Sequence, residues 1–87
     1  MTEDFERDVI GLENLFNISP NEARSILRAY EIEPVRTGFL CDYDPRRDGR
    51  APKVAFCERV VNDNEFRKKC NYWLSLTDEI KIPKMNA

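Results

Sequence analysis

Apolar positions along the chain change their period twice. Between residues 3 and 16, Phe5, Val9, Leu12 and Phe16 fall at i, i+4, i+7 and i+11, and Ile10 and Leu15 widen the stripe. That period predicts an amphipathic helix. Thr2 stands where an N-cap belongs, and Glu3 and Asp4 suit the positive end of the helix dipole. Gly11 weakens the middle by about 1 kcal/mol relative to alanine, so the segment either runs through or breaks there. A second helix follows at once. Ser19 is placed to cap it, Pro20 fits its first position and Glu22 stands three residues after the cap, the pattern of a capping box. Ile18 and Ala23 occupy the staple positions. Ala23, Ile26, Leu27 and Tyr30 form its apolar face, and Asn21, Arg24, Ser25 and Arg28 the opposite one. Pro34 disfavours helix just before it, so this helix should end near Glu31.

Residues 35–61 switch to a period of two. Phe39, Cys41 and Tyr43 alternate with Leu40 and Asp42, and Val54 and Phe56 alternate with Ala55 and Cys57, ahead of Val60 and Val61. Such alternation predicts strands. The stretch between them, Asp44-Pro45-Arg46-Arg47-Asp48-Gly49-Arg50, is dense in turn formers. Two strands and this loop make a β-hairpin with charges at its tip. A third helix is predicted over 63–76, capped by Asn62 with Glu65 three residues on. Its apolar face is Phe66, Cys70, Trp73 and Leu74, with Arg67, Lys68 and Lys69 mostly off that face. The predicted fold class is therefore α+β: helix, helix, β-hairpin, helix. Residues 1–77 form a single domain, and residues 78–87, polar and containing Pro83, form a loosely held tail.

Composition narrows the function. Eighty-seven residues hold one core, and 41% apolar with 34% charged residues suits a soluble globular domain. The chain has no histidine, which removes Ser-His and Cys-His catalysis, His-ligated metals and an ordinary histidine pH switch. The carboxylates are scattered and no glycine-rich phosphate loop is present, so the expectation is a protein that is not an enzyme and carries no cofactor. Cys41, Cys57 and Cys70 lack a C-x-x-C spacing and a fourth ligand, which argues against structural zinc. They read as three small buried hydrophobes, a Cys41–Cys57 cross-strand contact being the lesser alternative. The N-terminus is acidic with no apolar run behind it, and no stretch reaches the roughly 18–20 apolar residues of a membrane span. A cytoplasmic protein without membrane contact is expected.

Charge is uneven. The formal net charge is −2; residues 1–19 carry −4, residues 20–60 carry +1 and residues 61–87 carry +1. Acidity belongs to the first helix, while arginines gather on the capped second helix and on the loop after it.

Helix, short turn, helix is the outline of a helix-turn-helix. Leu12 and Phe16 take core positions, Asn17 the tight turn where positive φ is tolerated, Ile18 plugs it, and Ala23 and Ile26 anchor the second helix. In that geometry Asn21, Arg24, Ser25 and Arg28 face the major groove of double-stranded DNA. Arg46, Arg47, Arg50 and Lys53, at the 44–53 hairpin tip, contact the phosphate backbone. The stretch from Leu15 to Leu27 and the run Gly49-Arg50-Ala51-Pro52-Lys53-Val54 together resemble bacterial winged-helix transcription regulators, most nearly the CaiF/GrlA type of enteric bacteria, over residues 9–75. The resemblance implies a winged fold, sequence-specific DNA binding that controls transcription, and a dimer. The chain departs from the pattern at Glu13, where a small residue is usual, and in lacking room for a helix before the helix-turn-helix. Either Gly11 divides the first segment or helix 63–76 closes the core instead. That last helix is either core or a homodimer interface. The acidic first helix supports a different expectation, a small protein-binding adaptor or inhibitor, of the kind mobile elements carry, acting on a larger host protein. Convergence of Arg24, Arg28, Arg46, Arg47 and Arg50 in space separates the two.

Overall fold

Four prolines set the architecture. The computed structural model describes residues 2–77 and 81–82, and it contains six helices. They are α1 (Thr2–Phe16), α2 (Pro20–Glu31), α3 (Glu33–Asp42), α4 (Pro45–Asp48), α5 (Pro52–Asn62) and α6 (Asn64–Leu76). Pro20, Pro34, Pro45 and Pro52 each occupy one of the first two positions of a helix. There the missing N–H costs no intrahelical bond and the fixed φ suits the helix.

The first two helices follow the apolar pattern. α1 runs unbroken through Gly11, with Thr2 its first residue rather than a cap. Asn17 turns the chain at φ 55°. Ser19 Oγ accepts the Glu22 N–H at 3.1 Å, but the reciprocal half of the capping box is incomplete: Glu22 Oε2 is buried without a hydrogen-bond partner. α2 is the central helix and packs against α1, α3, α5 and α6.

The β-hairpin is not formed, and the fold class is all-helical among the described residues rather than α+β. Residues predicted as the first strand lie in α3. Val35 and Phe39 are buried there, Tyr43 caps the end, and Cys41 is exposed. A spacing of 35, 39 and 43 is one helical face; its alternation with the exposed residues between 39 and 43 imitates a strand. The second predicted strand is α5, which buries Ala55, Phe56, Cys57 and Val60. The expected hairpin tip is instead the single turn α4, closed by Gly49 at φ 66°, and the short link to Pro52. A Cys41–Cys57 cross-strand contact falls with the strands.

α6 matches its predicted range, but its cap is Asp63, not Asn62. Asp63 Oδ1 accepts the N–H groups of Glu65 and Phe66 at 3.1 and 3.2 Å. Arg67, expected off the buried face, is only 6% exposed. Its Nη2 donates to the carbonyls of Val60 and Val61 at 3.1 and 3.3 Å, so a guanidinium closes the C-terminal turn of α5, where positive charge is favoured.

The core lies where α2, α5 and α6 meet. Phe56 stands edge-on to Tyr30, Phe39 and Phe66, with ring centroids 5.2, 5.3 and 5.3 Å away. Ile26, Val60, Cys70 and Leu74, each 0% exposed, fill the space around it. In the predicted tail, Ile82 is 2% exposed, and its N–H and carbonyl meet the Asn71 side chain at 2.7 and 3.2 Å. Residues 78–80 and 83–87 of that segment lie outside the described residues.

Candidate functional site

The eight residues proposed for DNA contact divide into separate settings. On α2, Asn21, Arg24 and Arg28 are exposed, but Ser25 is buried at 5% exposure and offers its hydroxyl to no groove. Its position explains why: Ser25 adjoins Ile26 on the inward arc of α2. Arg24 Nη2 lies 3.3 Å from Glu6 Oε1 of α1. Arg28 lies 3.5 Å from Glu31 and stacks its guanidinium 4.8 Å over the Phe5 ring. Lys53, at the start of α5, is 2.9 Å from Asp8, and this bond holds its ammonium above the usual lysine range. Arg24, Arg28 and Lys53 therefore line one depression of about 450 Å³, with Glu6, Glu31 and Phe5 among its other walls. The acids of α1 reach the same cations that were expected to read DNA.

The remaining cations sit elsewhere. Arg47 is bound at 3.3 Å by Asp48 and donates to the Asp42 carbonyl. This pairing raises the Arg47 pKa and lowers that of Asp48. Arg47 lines a second depression, about 280 Å³, with Asp42, Tyr43 and Arg59. Arg50 is 3.8 Å from Glu58 and 5.8 Å over the Phe16 ring. Arg46 makes no ion pair among the described residues; its backbone N–H donates to Asp44 Oδ1 at 2.9 Å. The loop cations are thus not carried on an extended wing, and only Lys53 joins Arg24 and Arg28 in one depression.

A third depression, about 210 Å³, opens on the other side of Lys53. Gly11, Leu12 and Leu15 of α1, Leu27 of α2 and Val54 of α5 form its apolar part, and Arg7 and Asp8 of α1 join Lys53 at its charged edge. Ile10 and Leu15 nearby are 57% and 54% exposed. Sequence pattern placed both in the α1 stripe; only the packing angle of α1 leaves them outside the core. Tyr72 and Leu76 of α6 are exposed as well, at 60% and 59%.

Burial pushes the thiols of Cys57 and Cys70 up to about 12, so neither is a nucleophile at neutral pH. Among the described residues no group of three or more acidic or cysteine side chains is placed to hold a metal ion, and no helix is long and apolar enough to cross a membrane. No family model, curated protein or solved structure matches this chain.

Proposed function

We propose that this chain is a protein-binding module, an adaptor or inhibitor that acts by docking on a larger protein. The observation that carries this reading is the outer face of α1, where exposed Leu15 lines a depression with Leu12, Leu27 and Val54, edged by the charged residues Arg7, Asp8 and Lys53, and Ile10 is exposed on the same helix. Apolar side chains grouped in this way next to charged ones are typical of contact surfaces. The cations Arg24, Lys53 and Arg47 are held by carboxylates of the same chain, which reduces what they can offer to phosphates.

Two measurements test this. In a mobility-shift titration with random duplex at low salt, the chain is expected to leave DNA unretarded; retardation that weakens with added salt overturns the proposal. Used as bait in cell extract, the whole chain is expected to retain a protein in stoichiometric amount, and Ile10→Asp to lose it. Equal retention by both overturns the role of this face.

DNA binding through α2 keeps one supporting observation, the grouping of Arg24, Arg28 and Lys53 about one depression. On that reading Arg24→Gln and Arg28→Gln weaken retardation of a specific duplex more than Arg46→Gln does.

A further inference from the structure

Ile82 follows the end of α6 and lies in no helix, yet it is 2% exposed. One side chain binds its main chain at both polar groups. Asn71 Oδ1 accepts the Ile82 N–H at 2.7 Å, and Asn71 Nδ2 donates to the Ile82 carbonyl at 3.2 Å. In extended backbone the N–H and C=O of one residue point to the same side, as in a strand pair, and the Asn71 amide meets them as a neighbouring strand would. Pro83 follows in the sequence, and a residue before proline is biased to extended backbone. Neither hydrogen bond depends on which side chain residue 82 carries. That side chain is a separate anchor: Ile82 joins the buried core cluster, while Lys81 before it is exposed. Beside Asn71, Tyr72 and Leu76 share one face of α6, four residues apart, and are 60% and 59% exposed.

We infer that Asn71 and the core opening filled by Ile82 form a site for an extended peptide segment of a partner protein, with the chain's own Ile82 as its resident occupant. This inference rests on the protein-binding reading and adds to the α1 face a second contact, on α6. The chemistry of the incoming segment is copied from the resident one: a β-branched aliphatic side chain in the opening, followed by proline, with both backbone groups of the aliphatic residue on the Asn71 amide. Main-chain hydrogen bonds then supply affinity and the opening supplies selection, as in other modes that bind an extended peptide. Area favours a partner over the resident residue. A partner segment seated at Asn71 and crossing α6 covers Tyr72 and Leu76, which the chain itself leaves exposed. Ile82 is thus a competitor in cis, and it lowers the apparent affinity for a partner in proportion to the time it fills the site.

The test titrates the acetylated, amidated peptide Glu-Ile-Lys-Ile-Pro-Lys, the sequence of residues 79–84, into the ¹⁵N-labelled whole chain and into its Ile82→Ser variant. Saturable shifts are expected at the Asn71 side-chain amide and along the adjoining turns of α6. Affinity is expected to be about tenfold or more greater in Ile82→Ser, where the resident anchor no longer competes. A peptide with aspartate in place of its second isoleucine is expected to bind neither chain. Asn71→Ala, added to Ile82→Ser, is expected to weaken binding by about tenfold. Lengthening the peptide with leucines is expected to tighten binding, and Tyr72→Ser with Leu76→Ser to remove that gain. Where Ile82→Ser does not fold, the parent chain decides: at millimolar peptide its own Ile82 amide is expected to shift together with the Asn71 side chain. No saturable shift, shifts centred on Ile10 and Leu15, equal affinity for the parent and Ile82→Ser, or undiminished binding by Asn71→Ala overturns the inference while leaving the α1 reading in place. Lengthened peptides that gain nothing also overturn it, because the site then fits residue 82 alone. A dimer whose copies exchange Ile82 overturns it too, because the site then belongs to a second copy. Salt-sensitive DNA retardation removes the protein-binding reading and this inference with it.

Discussion

Ser19 and Asp63 perform the same task at two helix starts, accepting backbone N–H groups that have no partner inside the helix. Ser19→Ala is expected to lower stability by about 1 kcal/mol, read as a shift of the urea midpoint with an unchanged slope. At α6 the cap can be assigned by contrast: Asp63→Ala should cost a similar amount, about 1 kcal/mol, whereas Asn62→Ala should cost almost nothing. The reverse order would return the cap to Asn62. Cysteine reactivity separates residues in the same way. Cys41 is exposed, while Cys57 and Cys70 are buried. A thiol reagent at neutral pH is expected to titrate one group in the native chain and the other two only on unfolding. Rapid reaction of a second thiol in native buffer would show that α5 or α6 opens far more readily than its packing implies. Asn62 and Asp63 also show how adjacent residues of similar cap propensity defeat a sequence reading: both are good caps, and only the backbone at 63, φ −122° and ψ 101°, decides between them.

Elements were legible where two independent signals coincided. α1 and α2 combine a period of 3.6 with acids or a Ser-Pro start, and α6 combines a period of 3.6 with a cap. α3 and α5 were misread because four buried side chains in a short helix, such as Ala55, Phe56, Cys57 and Val60, leave too few polar positions to distinguish the two periods. The overlooked signal was proline. In the sequence Pro34 reads as a helix ender, Pro45 as a turn former and Pro52 as part of the 44–53 hairpin tip, yet each opens a helix. The candidate site was legible in part. The arginines of α2 were found and do share a depression, but Ser25 turned inward. The misread helices also carry the core. Phe56 touches rings from α2, α3 and α6, so Phe56→Ala removes the contact that joins all four helices. A loss of about 3–5 kcal/mol is expected, which is a large share of the stability of a small domain. Leu40→Ala, on the exposed side of α3, should leave the urea midpoint nearly unchanged; similar losses at both positions would mean that α3 packs with its other face.

For the molecule as a whole, the compact packing reflected in a radius of gyration of 12.1 Å links protonation at the centre to the stability of the entire chain. Burial of Cys57 and Cys70 raises both thiols from the usual 9.0 to about 12. In the unfolded chain the same thiols ionise near their usual value, so above that pH the unfolded state binds fewer protons than the folded one. Stability then falls as pH rises. The contribution is complete below pH 9 and is lost progressively up to about 12. Lys53, raised by its bond to Asp8, adds a loss of the same sign above its ordinary value of 10.5. The opposite limb is weaker: Asp48 is lowered by Arg47 at an exposed site, so its contribution is present above 3.8 and fades as pH falls. Maximum stability is therefore expected on the neutral side of the thiol range, with a steep alkaline decline. By pH 10.5 each buried thiol should have withdrawn about 2 kcal/mol. Urea midpoints measured between pH 7 and 10.5 check this, and the Cys57→Ala, Cys70→Ala double variant supplies the control. Its stability at pH 7 is lower because two core contacts shrink, but its alkaline slope should be markedly shallower. An alkaline slope equal to that of the parent chain would assign the decline to surface groups and detach it from the core.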